Sequence, residues 1–115
     1  MAEDLRLPVG DAVRLAQHLL DEGRPFHAHE VFEGLWKSAE SPAQRALWQG
    51  LAQLAVGLTH EARGNTRGAE SLVLRGRDRL AALSADGIDA VDLPRVLAWA
   101  DGWLAGGRAS PLRLG

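Results

Sequence analysis

With 115 residues, 46 % of them hydrophobic and 24 % charged, the chain has the size and balance of one soluble globular domain. A net charge of −2 gives no general attraction to nucleic acid or anionic lipid, and the absence of cysteine excludes disulfides, thiolate catalysis and Cys-ligated metal sites. No apolar run approaches the roughly 18 residues that span a bilayer, and the acidic start Met1-Ala2-Glu3-Asp4 lacks the regions of a signal peptide, so a cytoplasmic location without membrane contact is expected.

The spacing predicts a first helix over about 9–22, with Val9, Ala12, Leu15, Ala16, Leu19 and Leu20 on one face and Gly23 as its stop. Pro25 suits the first turn of a second helix running to about Ser38. Ser41-Pro42-Ala43-Gln44 has capping-box spacing and opens a third helix that runs to Arg63 and closes at Gly64. Asn65 or Thr66 caps a fourth, whose Ala69, Leu72, Val73, Gly76, Leu80 and Leu83 follow the i, i+3, i+4, i+7 pattern. After a linker over 85–91, Asp92 and Pro94 open a fifth helix, about 93–105, carrying Val96, Leu97, Trp99, Ala100, Trp103 and Leu104. Residues 108–115 read as a loosely held tail. The expected architecture is all-α, a single compact bundle of about five mostly antiparallel helices built on a central helix hairpin.

The densest chemistry lies in residues 26–36, Phe-His-Ala-His-Glu-Val-Phe-Glu-Gly-Leu-Trp. At about 100° per residue, Val31, Leu35, Ala28, Ala39, Phe32 and Trp36 make an apolar arc with His29 and Glu33 at one margin. His29 and Glu33 stand at i and i+4 and are expected to touch, while Glu30 and His27 point elsewhere. Helix three is apolar over most of its circumference except for a stripe of Gln49, Gln53 and His60, extended by Arg45 and Arg63. In an antiparallel hairpin, equal distances from the turn lie at equal heights. That sets Glu33 near Gln49, His29 near Gln53, and His60 near Glu22 or Arg24, and predicts a hydrogen-bonded polar ladder between helices two and three. Gly50 and Gly57, one heptad apart, permit a neighbouring helix to approach closely.

The run His-Ala-His-Glu-Val-Phe-Glu-Gly-Leu-Trp, then Gln-Gly-Leu-Ala-Gln-Leu-Ala, then His60 and Gly-Asn-Thr-Arg-Gly-Ala, resembles the prokaryotic helical family catalogued as domain of unknown function 309. The resemblance covers roughly residues 10–83. It implies an all-α bundle, with His29, Glu30, Glu33, Trp36, Gln49, Gly50, Gln53, His60, Gly64 and Asn65 as signature positions, and it implies no activity.

The leading reading is a binding or interaction module whose His29, Glu33, Gln49, Gln53 and Trp36 form a largely structural polar cluster, with Glu30, His60 and Asn65 secondary. The alternative is a hydrolase-like enzyme using His29 and Glu33, by acid/base chemistry or with a divalent metal. Gln49 and Gln53 stand where a di-iron bundle would want carboxylates, and no nucleophile lies beside the pair, so neither cofactor nor metal is expected. A closed, fully paired cluster would favour the module, and an open pocket with an unpaired His29 nitrogen the enzyme. Arg67, Arg75, Arg77 and Arg79 are interleaved with Glu70 and Asp78, the pattern of a solvated helix face rather than a groove reader for nucleic acid. Trp36, Trp48, Trp99 and Trp103 read as core; Trp99 and Trp103, at i and i+4, become the candidate surface for a homodimer or protein partner if the fifth helix covers the bundle incompletely.

Overall fold

The computed structural model describes residues 7–115. It is an all-α protein of five helices, α1 (Val9–Asp21), α2 (Pro25–Lys37), α3 (Pro42–Ala62), α4 (Thr66–Ala81) and α5 (Leu93–Leu104). Each boundary has a local cause. Gly23 takes φ +71° after α1, a left-handed conformation that costs glycine little, and Pro25 occupies the first turn of α2, where a missing N–H is no loss. The Ser41 hydroxyl accepts from the Gln44 amide at 3.1 Å, the Asn65 side chain from the Gly68 amide at 3.0 Å, and the Asp92 carboxylate from the Arg95 amide at 3.1 Å. Among the described residues no helix is long and apolar enough to cross a membrane.

Helix α3 is the centre of the molecule. Leu47, Trp48, Leu51, Leu54 and Ala55 are buried on it, between α2 on one side and α4 on the other. Phe32 of α2 stacks on Trp48, with ring centroids 6.4 Å apart and 12° between planes. Helix α1 packs on α2 and α5 on α4, so the chain winds from each helix to its sequence neighbour. The contact between α3 and α4 is unusually close because glycine lines it: the Cβ that Gly76 lacks would fall 2.8 Å from the Gly50 carbonyl oxygen, and that of Gly57 2.7 Å from a Val73 methyl.

Two expectations fail in the outer parts of the fold. On α1, Ala12, Ala16 and Leu19 are buried, but Val9 and Leu15 remain 44 % and 39 % exposed and line an open groove against α2 with Leu7, Val31 and Leu35. Residues 108–115 are not loose. Leu112 and Leu114 belong to the core. Gln17 of α1 grips that segment, donating to the Leu112 carbonyl at 3.0 Å and accepting from the Leu114 amide at 2.8 Å, while the Leu114 carbonyl accepts from the Asp92 amide at 2.7 Å. Two leucines at alternate positions have no helical period to betray them, yet backbone groups paired to α1 and to the α5 cap hold them inward.

The same strap covers Trp99 and Trp103, which take the core role rather than a surface one. Both indoles are buried, Trp99 Nε1 donates to the Ser110 carbonyl at 2.8 Å, and the Arg108 guanidinium lies 3.7 Å from the centroid of Trp103. Arg108 also pairs with Glu70 of α4 at 2.6 Å. These aromatic groups contact the chain's own tail.

Candidate functional site

The polar groups of α2 and α3 come together differently from the expected ladder. Glu33 does not bond His29. Its carboxylate lies 3.7 Å from the Lys37 ammonium, one turn on, in a solvated i,i+4 pair. The His29 ring packs 5.5 Å from that of Phe26, and its Nδ1 is buried with no hydrogen-bond partner among the described residues. Glu30 faces away, into the groove shared with α1, and His27 is exposed beside Phe26.

Gln49 and Gln53 are paired, but with neither His29 nor Glu33. Both side-chain carbonyls accept from Arg79 near the end of α4: Nε donates to Gln53 Oε1 and Nη1 to Gln49 Oε1, each at 3.1 Å. Sequence reasoning missed this arginine as a site residue, although the signal was present. Counted from the turn at Gly64, Gln49 and Arg79 are equidistant along the α3–α4 hairpin, so the height rule of an antiparallel hairpin places them side by side. The rest of α4 is spent otherwise. Arg77 donates to Asp101 of α5 at 2.8 Å and to Asp78 at 3.0 Å, and the hydrogen bond accepted by Asp101, then that accepted by Asp78, raises its pKa above the ordinary arginine value.

These groups border a cleft of about 320 Å³ between α2, α3 and α4, lined by His29, Trp36, Gln49, Ala52, Gln53, Val56, Leu72 and Arg79. Four of the five residues expected to cluster therefore meet there, and Glu33 does not. The cleft has an apolar wall and a guanidinium at its edge, with no carboxylate, hydroxyl or thiol among its lining residues. Among the described residues, no group of three or more His, Cys, Asp or Glu gathers in a way that could hold a metal ion. Glu33 and His29 supply two such donors, Glu33 engaged with Lys37 and His29 Nδ1 without a partner among the described residues.

The remaining signature positions serve the α3–α4 corner. His60 does not meet Glu22 or Arg24; its Nδ1 accepts from the Asn65 side-chain amide at 3.1 Å, while Asn65 caps α4. Gly64 takes φ +80° at the turn, and Gly50 permits the close helix approach, since a Cβ there would meet Leu80 at 2.7 Å. Glu22 pairs instead with His18 at 3.1 Å.

Because no hydrogen bond links His29 and Glu33, their contributions to stability are expected to add. A double-mutant cycle of His29→Ala and Glu33→Ala, read by denaturant melting, should give a coupling below about 0.5 kcal/mol, with Glu33→Ala alone costing about 0–1 kcal/mol. A coupling of about 1 kcal/mol or more would show that the pair forms in solution.

Fold and site define an all-α protein with a single-arginine cleft set between three packed helices. The chain belongs to the family described as Domain of unknown function (DUF309), which it matches over residues 13–72. That span runs from α1 into α4 and holds every cleft residue except Arg79. It is similar to the "Uncharacterized protein YpuF" of Bacillus subtilis (strain 168), at 42 % identity over 48 residues, which is 42 % of this chain and 28 % of that protein. The similarity thus concerns a little over a quarter of that relative's length.

Proposed function

We propose that the protein is a binding module and that its ligand site is the cleft between α2, α3 and α4. The observation that carries this reading is the fixing of Arg79. Two glutamine carbonyls from α3 hold one guanidinium beside the apolar groups of Trp36, Val56 and Leu72. A long, flexible cation immobilised at the rim of a concave, largely apolar site lowers the entropy lost on binding.

One observation favours the enzymatic alternative: the cleft is open and His29 Nδ1 lacks a partner among the described residues. Acid/base chemistry at His29 asks for more than that. A histidine base works when a third group fixes its tautomer and a reacting group lies within reach. Glu33 is engaged with Lys37, and the lining residues include no nucleophile. Binding asks only for the groups in place.

A fragment screen followed by amide and indole NMR shifts tests the binding reading. Binders are expected to shift His29, Trp36, Gln49, Gln53 and Val56 together. Shifts confined to the groove at Leu7, Val9 and Leu15, or no shifts with any fragment, would overturn it.

A further inference from the structure

We infer that the cleft takes an anionic head group carried on an apolar body, with the head on Arg79 and the body against Trp36, Val56 and Leu72. This rests on the cleft being the ligand site and specifies what binds there. The first argument is charge. Other arginines are matched to carboxylates: Arg77 to Asp101, Arg108 to Glu70 and Arg113 to Asp21. Arg79 is held by neutral amides, and it has no ion pair among the described residues. Amide oxygens orient a guanidinium without cancelling its charge, so a full positive charge is left at the rim.

The surroundings reinforce that charge. Arg75 borders an adjoining hollow of about 430 Å³ with Gln53, Asp78 and Arg79, and it too lacks an ion pair among the described residues. Asp78 is the carboxylate of that hollow, and Arg77 already binds it at 3.0 Å.

The second argument is geometry. With Nε and Nη1 each committed to one glutamine, three of the five N–H groups of Arg79 are left for a ligand. A planar fork fixed on one side presents its remaining donors as a pair suited to two oxygens of a carboxylate or phosphate. The third argument is the wall. Trp36, Ala52, Val56 and Leu72 are apolar, and no acidic residue lines the cleft, so nothing there repels an anion while aliphatic or aromatic groups gain burial. A volume of about 320 Å³ lies at the small end for ligand sites and suits a small amphipathic acid rather than a polymer.

The test compares four probes on the full chain: hexanoate, hexyl phosphate, 1-hexanol and inorganic phosphate, titrated by NMR with the Trp36 indole as reporter. Either hexyl anion is expected to bind at least about tenfold more tightly than hexanol, the worth of a charged hydrogen bond, and the tighter of the two identifies the head group. Arg79→Gln should bring the anions down to the level of hexanol and leave hexanol unchanged. Gln53→Glu keeps Arg79 in place but neutralises it, so it should lose the anion preference without losing melting temperature. Hexanol binding as well as hexanoate, or anion affinity unaffected by either variant, overturns the inference and leaves the cleft reading standing. Inorganic phosphate binding as tightly as hexyl phosphate removes the apolar body from it. If none of the four shifts the cleft residues, the inference fails; the broader fragment screen then decides the cleft reading separately.

Discussion

Leu114→Ala is expected to destabilise the protein by about 2–5 kcal/mol, the cost of a large-to-small change at a fully packed site. Position 114 is the last but one of the chain, where truncation is ordinarily harmless. Here the leucine is 1 % exposed, and its backbone closes the strap from both sides, through Gln17 and through the amide of Asp92. Removing the side chain leaves a cavity whose walls are held by those same hydrogen bonds and cannot collapse freely. Deleting 111–115 should cost at least as much, because the Leu112 side chain and the acceptors for Gln17 and Asp92 go with it. Urea or thermal melting measures both. A deletion that melts within a degree of the full chain would mean that the strap is detached in solution.

Gly76→Ala is the second large effect, and its sign runs against helix propensity. In an open helix interior alanine is better than glycine by about 1 kcal/mol. At position 76 the added methyl would sit 2.8 Å from the Gly50 carbonyl oxygen and 2.9 Å from Leu54 Cδ2. The first of these is backbone and cannot swing away, so α3 and α4 must separate and a net loss of about 1–3 kcal/mol is expected. Gly34→Ala on α2 is the matched control. Nothing lies within 4 Å of its missing Cβ, and it should stabilise by about 0.5–1 kcal/mol. Equal and favourable effects of the two substitutions would show that the close α3–α4 approach is absent. Separation of those helices would also pull Arg79 from Gln49 and Gln53, so Gly76→Ala should weaken any ligand held in the cleft.

The legible parts of this molecule are the ones governed by short-range chemistry. Ser41 with Pro42 and Gln44, Gly64 with Asn65, and Asp92 with Pro94 each mark a helix end through contacts within three or four residues, and all five helices follow from such marks and from apolar periodicity. The candidate site was legible in its membership but not in its pairing. His29, Trp36, Gln49 and Gln53 do share one cleft. The ladder between them failed because a helical wheel gives the direction of a side chain relative to its own helix and leaves open which neighbour stands there. The glutamine stripe meets α4 rather than His29 and Glu33, and Arg79 is the donor to its carbonyls.

The tail and α1 failed for a related reason. Leu112 and Leu114 lie in a stretch with no helical period, and Val9 and Leu15 fit the apolar face of α1 as well as their buried neighbours do. Whether such a leucine is covered depends on what packs there. On α5, the tail that covers Trp99 and Trp103 is what removes them from the surface.

By itself the sequence determined an all-α chain, its five helices and their caps, because these rest on backbone hydrogen bonds and side-chain caps that close within one turn. The tertiary structure alone decided the partners of the polar groups. Arg79 reaches Gln53 and Gln49 across 26 and 30 residues, and Gln17 reaches Leu114 across 97. Contacts at such separations are set by how closely and at what rotation the helices pack, and between α3 and α4 that packing is set by glycines whose missing side chains let the two backbones touch.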